Sequence, residues 1–204
     1  MIKTKIPILK EDKSYSFSDY FNLNFPTEAI LAEFGYELKI QPLNLPQGEI
    51  ESWEPLQQAM IHRLPYVSLN TEAARREFYV SPILWGLLDH FKFRLEIEYP
   101  INAGNKLKGA VDYFIRSTQQ NLMIIEAKNA DMERGFTQLA VEMLAFNEYL
   151  ADVPEPIYGA VTTGDLWRFG MLVPSESRVY KDVTSFLLPQ NLDPLVKIFA
   201  GIVS

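Results

Sequence analysis

Three residues in the middle of the chain have the types and spacing for phosphodiester chemistry: Asp112 in GAVDYFI, and Glu126 and Lys128 in LMIIEAKN. Both runs read as strands, and alternate residues of a strand share a face, so Glu126 and Lys128 project the same way from the end of a buried strand. Two carboxylates on neighbouring strands are enough to hold a divalent cation such as Mg2+, which keeps waters and substrate oxygens in the rest of its shell. Such a cation relieves charge on the phosphorane-like transition state and helps supply the in-line nucleophile. A lysine in the same cleft orients or helps deprotonate the attacking water, or offsets charge on the scissile phosphate. Alone, a Glu-x-Lys at a strand end is most often a solvated pair. Its weight here comes from Asp112 upstream, from the apolar residues crowding both motifs, and from Gln138 on the helix that follows.

The elements that must position these residues are readable from periodicity and breakers. FRLEIEYPI, KLKGAVDYFIRS and LMIIEAKN form three successive strand candidates joined by the turn-prone NAGN and STQQN, as in a β-meander. GFTQLAVEMLAFNEYLA has apolar residues at helical spacing and stops before the breakers in DVPEP. Upstream, TEAARREFYVSPILWGLLDHF carries a near-helical apolar face, with Pro82 set to kink it or to begin a new turn. IYGAVTTG and LWRFGMLV read as two further strands, and NLDPLVKIFAGIVS as a terminal helix. Before residue 65, PTEAILAEFGY reads as a short helix ended by Gly35, YELKIQPL as a strand, PLNLPQGE as a loop and WEPLQQAMIHRL as a helix. The aromatic run SYSFSDYFNLNF reads as core or interface.

With a helix, a three-stranded meander, a crossover helix and a further strand over residues 70–170, the chain resembles the PD-(D/E)xK, or restriction endonuclease-like, nuclease superfamily. It is closest in style to the N-terminal nuclease domains of type I restriction subunits and to RecB-like nucleases. The resemblance maps the family's first acid onto Asp112, its Glu-x-Lys onto Glu126-Ala127-Lys128, and its frequent helix glutamine onto Gln138. It implies that Asp112 and Glu126 ligate the metal, aided by the backbone carbonyl of Ala127, with Lys128 as the catalytic lysine and Gln138 lining the site. An acid on the first helix often completes such sites. Glu72 is preferred, because its spacing to Pro82 resembles the Glu…Pro pattern of type I subunits, and Glu77 is the alternative. Val111 stands where the family's name has a proline, a departure shared by many members.

The fold so implied is α/β: a restriction endonuclease-like core over residues 66–204, with a central mixed β-sheet flanked by helices, and an N-terminal α/β extension over 1–65 packing on it. The implied activity is endonuclease-type hydrolysis of phosphodiester bonds by metal-activated water, with Mg2+ as cofactor, Mn2+ possible, and DNA ahead of RNA as substrate. One such domain cuts one strand at a time, so a concerted double-strand break would need a homodimer.

Composition bounds these readings. At 204 residues, with 48% apolar residues, the chain is long enough to bury a real core. The absence of cysteine excludes disulfides, thiolate zinc sites and a cysteine nucleophile. No signal peptide and no apolar run of membrane-spanning length is read, and the expected location is the cytoplasm, with no membrane partner. A net charge of -7 argues against a broadly basic nucleic-acid coat, although Lys92, Arg94, Lys106, Lys108, Arg116, Lys128 and Arg134 gather in one part of the sequence. That acidity leaves open a second reading, a catalytically silent nuclease-fold module for binding or assembly. A third is a metal hydrolase on an unrelated fold.

Bland readings stand beside the sharp ones. Gln138 and Glu142 are four apart and could form the polar edge of an amphipathic helix. Glu72, Arg75 and Arg76 could be an exposed first turn. His62 and His90 lack ligand spacing.

Overall fold

The computed structural model describes residues 7–117, 121–128, 131–151 and 155–204. The turn STQQN, the end of IIEAKN and the breakers DVPEP lie partly outside the described residues.

The molecule is built on one mixed sheet covered on both faces. In chain order, α1 (Phe17–Asn22) and α2 (Thr27–Ala32) precede β1 (Glu37–Gln41), and α3 (Glu54–Arg63) leads to α4 (Glu72–Arg75). A π-type turn, Arg76–Val80, joins α4 to α5 (Ser81–His90). The meander β2 (Phe93–Asn102), β3 (Lys108–Ser117) and β4 (Leu122–Ala127) follows, then α6 (Met132–Tyr149) and β5 (Ile157–Thr162). β6 (Leu166–Val173), β7 (Arg178–Asp182), the two-residue β8 (Phe186–Leu187) and α7 (Leu192–Val203) complete the chain. The strands run in the order β1-β7-β6-β5-β4-β3-β2, with β8 on β6. β3 is antiparallel to both β2 and β4, whereas β5 lies parallel to β4, as a helical crossover requires.

β4 sits mid-sheet and all six of its residues are buried, so it reads as a continuous apolar run rather than an alternating one. One core layer joins Phe17 and Tyr20 of α1, Ile30 and Leu31 of α2, and Leu139 and Phe146 of α6. The opposite layer joins Ile83, Leu84 and Leu87 of α5 to Leu195, Phe199 and Ile202 of α7 and to Trp167. Trp53 is buried with this second layer, but Trp85 is half exposed on α5. The first 65 residues are tied to the same body, since β1 extends the sheet alongside β7 and both α1 and α2 pack on α6. Among the described residues no helix is long and apolar enough to cross a membrane.

Local signals explain the boundaries. Thr71 caps α4 by accepting from Ala74 N–H at 3.1 Å. The helical run from Glu72 to His90 is continuous, and its loosened π-type turn falls just before Pro82, whose missing N–H removes one backbone bond from the ladder. Gly35, with φ of +81°, ends the segment after α2 as the sequence indicates. α6 starts three residues earlier than its apolar pattern, because the Asp131 carboxylate accepts from Glu133 and Arg134 N–H, both at 3.0 Å. β7, β8 and α1 are elements the periodicity did not announce.

Candidate active site

Where β3 and β4 part, the ladder gives way to side chains. Tyr113 and Ile125 are a registered pair, and the next residues toward the site are Asp112 and Glu126. The Asp112 carboxylate takes over from the ladder, accepting Ala127 N–H at 2.8 Å. That single bond holds the two acid-bearing strands together at the site. The Lys128 ammonium is bonded to Glu126 Oε1, and Gln138 on α6 donates to the same oxygen at 2.7 Å. Asp112, Glu126, Lys128 and Gln138 are thus one connected cluster.

A cleft of about 430 Å³ opens over it, lined by Ser18, Phe21 and Asn22 of α1, Glu72 of α4, and Lys128 and Gln138, with Asp131 at its edge. Glu72 therefore faces the same space as Lys128. Glu77 is exposed and outside the lining, so of the two first-helix acids only Glu72 is brought to the cluster. Of the acids, Asp112 and Glu126 are not part of the lining and are buried next to Lys128: the Glu126 side chain is 1% exposed, Asp112 14% and Lys128 15%.

Three residues that the motif did not single out complete the geometry. Arg76, in the π-type turn, reaches Asp112 at 3.3 Å and Glu98 at 2.8 Å, and its guanidinium lies 5.0 Å over the Tyr113 ring. Glu98 lies on β2 opposite Asp112, at the one position where the β2–β3 ladder is interrupted, and has φ of +52°. A left-handed glutamate inside a strand is a strained conformation of the sort that gathers at functional sites. Glu142 is fully buried one turn beyond Gln138, which donates to it at 2.9 Å. The sequence signal for Glu142 was its spacing from Gln138; its solvated-edge reading is overturned, because α6 is covered by α1, α2 and the sheet. Arg76 likewise leaves the exposed first turn that charge patterning gave it.

The electrostatics follow from depth. Burial raises the Glu126 carboxyl, with Asp112 adding to the effect, and burial followed by Glu126 raises Glu142 well above the usual value. Burial also raises Asp112, against the Ala127 N–H and Arg76, and it raises Glu72. Burial opposes the charge on Lys128, yet Glu126, Asp112 and Glu72 lift it above an ordinary lysine. The acidic neighbours thus favour the ammonium form of Lys128. Among the described residues a cation is bonded to Glu126 and none to Glu142, and the two carboxyls are hydrogen-bonded to each other, so the pair keeps its proton on the Glu142 side.

Glu126 and Glu142 are hydrogen-bonded to each other, with the proton on Glu142, and this shared proton accounts for buried carboxyl oxygens that find no other donor among the described residues. Two carboxylates and a backbone carbonyl, completed by water, are a donor set that Mg2+ takes, so the residues fit that ion. Among the described residues, however, no group of three or more His, Cys, Asp or Glu side chains is gathered at metal-binding spacing. Elsewhere, His62 stacks near Tyr66 and His90 bonds Gly86 O at 2.8 Å, both outside the cleft. Comparison with known protein families, with curated proteins and with solved structures gives no significant match.

Proposed function

We propose that the chain is a metal-dependent nuclease that hydrolyses phosphodiester bonds, in DNA ahead of RNA, on a restriction endonuclease-like core formed by β2, β3, β4, α6 and β5. The observation that carries this reading is the convergence of Asp112, Glu126 and Lys128, from two adjacent strands, beneath a cleft that Glu72 and Gln138 also line. Asp112 and Glu126 would hold Mg2+ or Mn2+ with the Ala127 carbonyl. When bound, the ion supplies charge relief on the phosphate and lowers the pKa of an attacking water. The chain's own part is orientation and electrostatics. Lys128, kept charged by its acidic neighbours, stabilises negative charge developing on the phosphoryl oxygens. Gln138, donating from α6, fixes the orientation of the Glu126 carboxylate. Glu72, whose proton affinity is raised by burial, is placed to accept a proton from water at the mouth.

The test is cleavage of oligonucleotides by the purified chain with Mg2+ or Mn2+. The wild type is expected to cut, and Asp112→Ala and Lys128→Ala to lose at least about a hundredfold in rate. Retained metal-dependent cleavage in both variants would sink the assignment.

A second reading, a catalytically silent module of the same core, is favoured by one observation: Asp112 and Glu126 already have cationic partners in Arg76 and Lys128. Calorimetry separates the two. Mn2+ binding that disappears in Asp112→Asn and Glu126→Gln supports the nuclease.

A further inference from the structure

The cleft has a wall that the core motif does not supply. α1 comes from the N-terminal segment, and its Phe21 ring lies under the Lys128 ammonium, 5.3 Å from centroid to nitrogen. Lys128 is therefore held between Glu126 and an aromatic face. The wall is fixed. Phe17 and Tyr20 are wholly buried, Tyr20 donates to Lys106 O at 2.6 Å, Tyr15 N–H bonds Asn105 O at 2.8 Å, and Ser16 bridges Lys108 at the turn end of the β2–β3 hairpin. Gly109 lets α1 come this close, since a Cβ there would stand 2.7 Å from the Phe17 ring.

Of Asp112, Glu126 and Lys128, the lysine lines this cleft together with α1, Glu72 and Gln138, and the two acids are buried next to it. A duplex is a stiff rod with its phosphates on the outside, and its backbone cannot enter a cleft of this size without costly deformation. A single strand has free backbone torsions and exposes base faces. An aromatic ring beside a cation is the pairing that single-strand grooves use, because every base has a face to stack. The cleft, about 430 Å³, is of the size that encloses a small ligand or one segment of a polymer.

We propose that α1 is the substrate-binding wall of this site and that the cleft admits an unpaired polynucleotide segment, a single strand or a frayed end, with Phe21 supplying the stacking face and positioning Lys128. This rests on the nuclease reading and specifies its substrate class.

The test is fluorescence anisotropy of the full chain, in Ca2+, with a short labelled single strand and with the blunt duplex of the same sequence. The single strand is expected to bind about tenfold tighter or more. Phe21→Leu, which keeps apolar volume but removes the ring, is expected to weaken single-strand binding about fivefold, with Phe21→Ala as a second variant if the first melts early. In cleavage, Phe21→Leu is expected to raise KM for the single strand by a larger factor than it lowers kcat, a split that a merely structural role would not give. Equal or tighter binding of the duplex overturns the proposal, and so does unchanged single-strand affinity in both Phe21 variants. If cleavage depends on Asp112 but the duplex is preferred, only this inference falls; if cleavage does not depend on Asp112, the nuclease reading falls. No binding of either form overturns both.

Discussion

Arg76 separates this site from a bare pair of carboxylates. It shares its guanidinium between Asp112 and Glu98, and because Glu98 pays for its place with a left-handed backbone, the arrangement is specific to this corner of the sheet. A guanidinium on Asp112 competes with a divalent cation for the same charge. Arg76→Met, which retains packing over Tyr113, is therefore expected to tighten Mn2+ binding about fivefold or more in calorimetry. Weaker binding would show that Arg76 supports the site instead of competing for it. Glu142 makes a separate prediction. In the folded chain burial raises the carboxyls of Glu126 and Glu142, so the native state keeps protons that the unfolded chain, with carboxyls at the usual 4.5, has released. Stability therefore falls as pH rises above that range. Glu142→Gln copies the protonated form without a proton to lose, and is expected to flatten this slope and to stabilise the chain at pH 8 by roughly 1–3 kcal/mol in urea unfolding. An unchanged slope would mean that Glu142 is not the proton-holding group. Asp112, Glu126, Lys128 and Gln138 were legible in the sequence because strand alternation and helix order fix their side of the fold. Arg76 and Glu98 were not, because their roles come from a π-type turn and an interrupted ladder that no periodicity records.

At the scale of elements, the sequence spoke where the apolar pattern was long. The meander, α6 and α7 follow from runs with clear periodicity, whereas α1 has only six residues, too few for a helical period to show. Its signal was the capping box in SFSD: Ser16 N–H and Oγ both donate to Asp19 Oδ2, at 2.7 and 2.8 Å. β7 was hidden for a different reason. RVYKD lacks apolar alternation, and its Lys181 and Asp182 are buried because Glu133 neutralises the lysine and the N–H groups of Leu43 and Thr184 bond the aspartate. Partners distant in sequence made a polar stretch into an inner strand. The docking of α1 is testable at Gly109, where φ is +148° and no side chain fits beside Phe17. Gly109→Ala is expected to cost about 1–3 kcal/mol and to raise hydrogen exchange in α1 above that of α6. Loss of stability spread evenly over the chain would argue that α1 is not independently displaced.

For the whole molecule, the acidic balance of -7 and the cleft composition act together. Glu72 and Asp131 line the opening with Lys128, and the buried Asp112 and Glu126 beside it are partnered by Arg76 and Lys128, so the acids here outnumber the cations and a polyanion approaching the cation-free chain meets net repulsion. On the proposed reading, a divalent cation held by the carboxylates would reverse the local sign and so would couple cation and polynucleotide binding through charge. Coupling of this sort is reciprocal: the factor by which Ca2+ tightens the oligonucleotide must equal the factor by which the oligonucleotide tightens Ca2+. We expect a factor of about ten or more, measured once by anisotropy titration with and without Ca2+ and again by calorimetry with and without oligonucleotide. If, as proposed, only a short stretch of backbone enters the cleft, the salt slope in Ca2+ should correspond to a few phosphates, far below that of a protein coating a long basic track. Equal affinity in chelator and in Ca2+ would place the polynucleotide elsewhere on the molecule, away from the carboxylates. A matching pair of coupling factors that vanishes in Asp112→Asn would tie both ligands to the junction of β3 and β4.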